Sequence, residues 1–363
     1  MRHLIDHQGG WNDATAPCIG CTSGCGACAC RRNPQFAARE IACDMIGVER
    51  PPGCDATIQY MLTQPLQFPP GGPVDSGCSQ VVMTAGGTGC YSNFGYMVLA
   101  RIIETVSGLN HVEFIRRNVL TPNLWVPSTE VFMGHTKRFE QNEREPPYIS
   151  TSPNCDCNDA TNPDPNADLV CCPYGSWHHE SFIGHGNLVA SAAPLLIFMD
   201  NYQVSNGGIS GIPLTDGPTS AVRGAHNGSL DGTSATMLQR GDVDGDGTGD
   251  GVSIVVLFNQ RLPGDSPFIL AARMTTIIES TIDDGGFTWP TTCIDGFWID
   301  FDSQASPYHG AYDAPFRTMN QAINGTTSGS KLLLMPGSTD WTGTLATKMR
   351  LDAPFGSARI GAQ

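Results

Sequence analysis

Tyr91, Ser92 and Asn93 stand directly before an amphipathic run from Phe94 to Ser107. A phenol can give or take a proton, and a side-chain amide offers one donor group and one acceptor to a substrate amide or carboxylate. Ser and Asn also cap helices, and a tyrosine also fills cores, so the triplet needs company to mean chemistry. Two stretches supply it. His7-Gln8-Gly9-Gly10-Trp11 lies upstream, and His226-Asn227-Gly228-Ser229 lies downstream. His226 would add a group that titrates near neutrality.

Three other groupings could hold a metal. Asp242, Asp244 and Asp246 occupy positions 1, 3 and 5 of a possible calcium loop, with Gly247 at position 6. Position 12 is Ser253 rather than a carboxylate, so an Asp-Gly hairpin turn competes with calcium. Cys18-x-x-Cys21 and Cys25-x-x-Cys28, followed by Cys30, resemble zinc ligands by letter. Only three residues separate the two pairs, less than a zinc ribbon needs, so disulfides are the expected fate, with pairing that spacing does not give. His178, His179, Glu180 and His185 lack the spacing of a helical zinc motif, and a loop of satisfied histidines is expected there. His7 is expected to be structural.

The elements that must position these residues come next. Tyr96, Leu99, Ile103 and Val106 recur at helical spacing and predict one buried face, with Gly108 as the C-terminal cap. Asn110 and Glu113 predict the start of a second helix, striped by Val112, Ile115 and Val119 and stopped by Pro122. Shorter helices are expected around Phe36–Met45 and Gln59–Leu62, with the rest of residues 1–90 mostly irregular. Ser191 should cap a helix carrying Leu195 to Phe198. From Ala225 the pattern turns to strands, with Thr233–Arg240 alternating and Val252–Phe258 nearly all apolar. Ser266-Pro267 then opens a helix with Leu270, Met274, Ile277 and Ile278 on one side.

The chain has 363 residues and a formal charge of −15, with 14 cysteines. The charge argues against nucleic acid and anionic membranes as partners. No apolar run approaches the roughly 18–20 residues of a membrane span. The cysteine density predicts an oxidising compartment, hence a secreted, periplasmic or cell-surface protein.

Arg2-His3-Leu4-Ile5-Asp6-His7-Gln8-Gly9-Gly10-Trp11, the run from Tyr91 to Val106, and His226 to Ser229 together resemble a known family. It is the beta-lactamase-related serine hydrolases, which include class C beta-lactamases, D-alanyl-D-alanine carboxypeptidases and esterases. The likeness runs from Met1 to about Pro290. It implies an α/β (α+β) beta-lactamase/transpeptidase-like fold, an antiparallel sheet flanked by helices with a helical subdomain. It also implies acyl transfer through a serine ester, on a small-molecule or peptide substrate with an ester or amide bond. Tyr91 would be the proton-transfer partner of a nucleophilic Ser and its Lys, and Asn93 would hold the substrate amide. His226 would stand where beta-lactamases usually carry Lys, and the Ser229 N–H would be half of an oxyanion hole. An imidazole grips a carboxylate less firmly than an ammonium does, which turns expectation from β-lactams towards esters or D-amino-acid peptides.

The family's Ser-x-x-Lys precedes the Arg-His-Leu segment, and here only Met1 does. The chain is therefore expected to lack its nucleophile and to be inactive as given. One Ser-x-x-Lys exists by letter, Ser328-Gly329-Ser330-Lys331, and its place after a Gly-Thr-Thr turn marks it as a chance match. It falls within residues 291–363, expected to form a domain separate from 1–290. Gly310 to Phe316, Thr318, Ala322, Leu332 to Gly337 and Leu351 to Gly356 read as short strands separated by turns and resemble the opening coils of right-handed parallel β-helices. Such coils need stacked neighbours and would suit contact with carbohydrate or cell wall. A non-catalytic binding protein that keeps the pocket is the alternative function.

Overall fold

The computed structural model describes residues 1–19, 32–45, 47, 51–72, 74, 77–78, 80–84, 87–120, 130–150, 157–162, 164, 167–204, 212–213, 223–240, 252–261, 269–283, 296–304, 306–311, 314–346, 348–353 and 358–361. The chain divides into two compact units. One comprises Met1–Phe114 and Phe132–Gly286, the other Ile115–Val131 and Phe287–Gln363. The Asp242–Asp246 segment, Cys21 to Cys30 and the start of the Ser266-Pro267 helix lie outside the described residues.

The first unit opens with α1 (Arg2–Ile5), followed by α2 (Ala38–Asp44) and α3 (Cys54–Leu62). A hairpin of β1 (Val81–Thr84) and β2 (Gly87–Cys90) leads into α4 (Asn93–Ser107). The Ser92 hydroxyl accepts from the Gly95 N–H at 3.3 Å, and Gly108 closes α4 at φ 71°. The face of α4 that is buried differs from the expected one. Phe94, Met97 and Ala100 enter the core, while Ile103 is 37 % and Val106 83 % exposed. Phe94 meets Trp11 edge-to-face at 4.5 Å, and Met97 packs with Ile41, Tyr60 and Met61 from α2 and α3. That contact with the Gly-Gly-Trp turn sets the helix rotation, and no count along α4 alone contains it.

The helix begun by Asn110, whose side chain accepts from the Glu113 N–H at 2.9 Å, runs as α5 (His111–Ile115) and then widens into a π turn at Arg116–Leu120. The expected single striped helix thus changes pitch midway. After α6 (Ala192–Asn201) come three antiparallel strands, β3 (Arg223–Leu230), β4 (Thr233–Arg240) and β5 (Val252–Phe258), paired in that order. Helix α7 (Ile269–Asp283) packs on β3 and β4. Its Thr275 hydroxyl lies 3.2 Å from that of Thr236, which donates to Asn227 Oδ1 at 2.6 Å. Of the expected apolar stripe, Met274 and Ile278 are half-buried, and Ile277 is 56 % exposed.

Disulfides join Cys78 to Cys90 and Cys157 to Cys172, and Cys18, Cys43 and Cys171 are also oxidised. Cys54 is a free thiol, pushed up to about 12 by burial. Among the described residues no helix is long and apolar enough to cross a membrane.

In the second unit, β6 (Phe297–Ile299), β7 (Lys331–Leu334) and β9 (Arg350–Asp352) pair in parallel, as do β8 (Gly337–Thr339) and β10 (Ala358–Ile360). Ile299, Leu332 and Leu334 point into a core with Phe316, Met319 and Ala322. Residues expected to be strand and turn form a helix instead, α8 (Met319–Gly325), because the Thr318 hydroxyl accepts from the Gln321 N–H and starts one. Ser328 and Lys331 share no helical turn. Gly329, between them, has φ 90°, and Lys331 Nζ pairs with Asp352 at 3.3 Å from within β7. This Ser-x-x-Lys is not a nucleophile and base.

Candidate active site

The Tyr91–Asn93 triplet is fixed at three successive backbone N–H groups. Cys90 N–H donates to His7 O at 2.9 Å, Tyr91 N–H to Gln80 O at 2.9 Å, and Ser92 N–H to His7 Nδ1 at 3.0 Å. Gly89 lets the strand come this close to the 6–7 segment. A Cβ there would strike Asp6 O and come within 2.9 Å of His7 Cβ. The Cys78–Cys90 disulfide ties down the same strand from the other side.

His7 lies between two phenol rings, its centroid 4.8 Å from that of Tyr91 and 4.9 Å from that of Tyr96. The Tyr96 hydroxyl donates to Ile5 O at 3.2 Å and so anchors α1 to α4. The Tyr91 hydroxyl donates to Asn93 Oδ1 at 2.9 Å, so the two residues expected to share a pocket do touch.

Electrostatics here favour neutral forms. Burial, chiefly, and the nearby Tyr96 and Asp13 raise the Tyr91 phenol above its ordinary pKa. Burial pulls His7 down to about 4, and the proximity of His226 pulls it the same way. With Nδ1 accepting from Ser92, His7 carries its proton on Nε2. Burial also pushes Asp13 up to about 7. The resting phenol is therefore a donor, and a phenolate would need a cation beside it.

His226 sits on β3 opposite Met237, next to Asn227, which faces α7 through Thr236. Alternation turns His226 and Gly228 to the other face of the strand, consistent with the charge coupling of His226 to His7. Desolvation lowers the His226 pKa. The residue nevertheless keeps solvent contact, which screens its charge. Gly228 borders open space, since a Cβ added there meets nothing within 4 Å. Ser229 lies opposite Ser234 on the α7 side, its hydroxyl donating to Thr233 O at 3.4 Å.

Tyr91 thus packs on His7 and bonds to Asn93, while His226 reaches His7 through charge alone. His7 was expected to be structural, and it acts as the post on which the phenol rests. Asp13 was missed altogether. Its letter in Gly-Trp-Asn-Asp gives no sign that burial has made it titrate near neutrality.

Solved structures with similar architecture include D-amino acid amidase from Ochrobactrum anthropi SV3. It is 14 % identical over 79 % of this chain and 73 % of that one, with a TM-score of 0.42. A D-stereospecific amidohydrolase from Streptomyces sp. is 15 % identical over 75 % and 71 %, with a TM-score of 0.39. The octameric penicillin-binding protein homologue from Pyrococcus abyssi is 16 % identical over 76 % and 55 %, with a TM-score of 0.36. Residues 1–274 match the protein family described as Beta-lactamase. With the helix-flanked antiparallel sheet and the tyrosine at the mouth of α4, that match over most of the chain places it in the beta-lactamase family of serine hydrolases, with the beta-lactamase/transpeptidase-like fold.

Proposed function

We propose that the first unit is the substrate-holding part of an extracellular acyl-serine hydrolase acting on small esters or amides of the D-aminoacyl kind. The observation that carries this reading is the Tyr91–Asn93 hydrogen bond mounted on His7, with His226 within electrostatic range. Tyr91 gives its proton to, or takes one from, the reacting oxygen or nitrogen. Asn93 turns its amide to the substrate amide once the phenol swings towards the nucleophile. The rim of β3 receives the substrate backbone beside Gly228, with His226 placed for a carboxylate and the Ser229 N–H for an oxyanion.

The sole Ser-x-x-Lys in the sequence, Ser328 to Lys331, lies in the second unit and shares no helical turn. The protein of residues 1–363 is therefore expected to bind such ligands without turning them over. That behaviour also fits a binding protein of the same family, a reading favoured by the neutral, hydrogen-bonded state of Tyr91. The parallel strand pairs of the second unit support reading it as the opening coils of a right-handed parallel β-helix.

Calorimetry with an N-acyl-D-alanine amide tests the site. Binding is expected in the parent, and Asn93→Ala should weaken it about five- to a hundredfold, the loss from leaving one polar partner unmet. Equal affinity in parent and variant would remove Asn93 from the site. A chromogenic ester assayed alongside should stay at the blank rate, and steady turnover would show a nucleophile that this reading lacks.

For an anionic ligand, affinity should fall as pH rises through about 7, where Asp13 ionises beside the phenol. Asp13→Asn should flatten that profile. A parent profile already flat across neutrality would take Asp13 out of the recess.

A further inference from the structure

His178 and Glu180 have a third partner that their own neighbourhood in sequence does not show. His135, which follows the Val131–Met133 strand, brings Nδ1 to 3.5 Å from Glu180 Oε1. His178 Nε2 lies 3.2 Å from Glu180 Oε2. Glu140, at the end of a 3₁₀ turn over Arg138–Glu140, completes a group with His135 and Glu180. One donor atom from each of these three lies within 4.8 Å of the others. The four residues come from two loops that are 38 positions apart in the chain, from Glu140 to His178.

Glu180 is held in orientation from behind. Its Oε1 accepts the Thr136 N–H at 3.0 Å, its Oε2 accepts the Thr136 hydroxyl, and that hydroxyl oxygen accepts the His179 N–H at 2.8 Å. Hydrogen-bonded carboxylates of this kind are what ligand sets use as supports. The neighbouring cations are engaged elsewhere. Lys137 Nζ pairs with Asp159 at 2.7 Å, and the Arg138 guanidinium lies 5.5 Å from the centre of the Tyr174 ring. His179 does not compete as a ligand through Nε2, which accepts from Trp177 Nε1 at 2.7 Å.

We propose that His135, Glu140 and Glu180 form a divalent transition-metal site, with His178 as a fourth ligand. Imidazole nitrogen with carboxylate oxygen suits zinc among the available divalent ions, and calcium or magnesium would want oxygen alone. Tetrahedral zinc with bonds of about 2.0–2.1 Å sets its ligand atoms about 3.3 Å apart. Each histidine already lies near that spacing from one Glu180 oxygen, His135 from Oε1 and His178 from Oε2, so that Glu180 would offer both oxygens, and the solvent-exposed Glu140 side chain has the freedom to close the rest. The ion would neutralise two carboxylates and clip the 135–140 loop to the 178–180 turn. The site stands apart from the Tyr91 chemistry and does not depend on it.

Zinc titrated calorimetrically into the full chain, its disulfides left oxidised, should bind at one equivalent and raise the thermal midpoint. Cobalt should give the visible absorption of a tetrahedral site. His135→Ala and Glu140→Gln, both at exposed positions, should keep the metal-free midpoint and near-ultraviolet spectrum. Each should weaken zinc at least about tenfold, whereas His309→Ala in the second unit should change nothing. Absence of zinc binding overturns the proposal. So does binding of undiminished affinity in both variants, which would move the ion elsewhere, for instance to the cysteine-rich stretch near residue 20.

Discussion

Acidification from about pH 6.5 to pH 4 should cost this protein about 5 kcal/mol of stability. His7 and His185 each have a folded pKa of about 4 against an ordinary value of 6.5, lowered mainly by burial. Protonating His7 at Nδ1 would break its bond from the Ser92 N–H. His185 holds Ile183 O through Nδ1, and its Nε2 is buried with no hydrogen-bond partner among the described residues, so a second proton has nowhere to point. Above pH 6.5 both rings are neutral, folded or unfolded, and their contribution is complete. Below it the unfolded chain binds protons that the folded chain refuses, so stability falls with pH by about 1.4 kcal/mol per unit for each ring.

Asp13 works in the other direction. Folded, it keeps its proton up to about pH 7, while unfolded it releases it above 3.8, so it stabilises the fold as pH drops through that window. Two rings against one carboxyl leave a net slope of about 1.4 kcal/mol per pH unit towards instability in acid, and His179, which burial also lowers to about 4, adds a third ring and about doubles it. Urea unfolding followed at several pH values between about 7 and 4.5 reads that slope directly. His185→Gln should flatten it, and Asp13→Asn should steepen it. A free energy of unfolding that holds constant, or rises, on acidification to about pH 5 would mean the rings are not buried neutral in solution.

What the sequence made legible follows from where each signal resides. The bounds of α4, its serine cap and its Gly108 stop were readable because they are set within a few residues of one another. So were the strands Thr233–Arg240 and Val252–Phe258, whose alternation and apolar run are local, whereas their partner Arg223–Leu230 was legible only as a change to strand pattern from Ala225. The rotation of α4 was not readable, because Trp11 and the Met61 side of α3 decide which residues it buries. The hairpin of β1 and β2 escaped notice because its sequence, with Gly86, Gly87 and Gly89 in four positions, looks like loop. In the site, Tyr91 and Asn93 announced themselves by motif, whereas Asp13 and His135 did not. A carboxyl's burial and a histidine's distant partner are properties of the folded chain.

Two glycines give the strongest contrast that a single methyl group can make here. At Gly89 the added Cβ meets backbone, Asp6 O and His7 O, together with His7 Cβ, and none of these can swing aside as a side-chain tip could. Gly89→Ala must push the 6–7 segment away from β2. That lengthens the Cys90 N–H to His7 O bond, strips Ser92 N–H of the His7 ring and removes the post under Tyr91. The expected loss is about 3 kcal/mol, the upper part of the range for overpacking, with ligand binding lost as well. At Gly228 the same methyl enters open space on the outward side of β3. Gly228→Ala should leave the unfolding free energy within about 0.5 kcal/mol of the parent while blocking the rim where a substrate backbone would lie. If the two variants unfold alike, the close packing of His7 against β2 is not what holds the phenol. If Gly228→Ala binds ligand as the parent does, the substrate does not follow that edge.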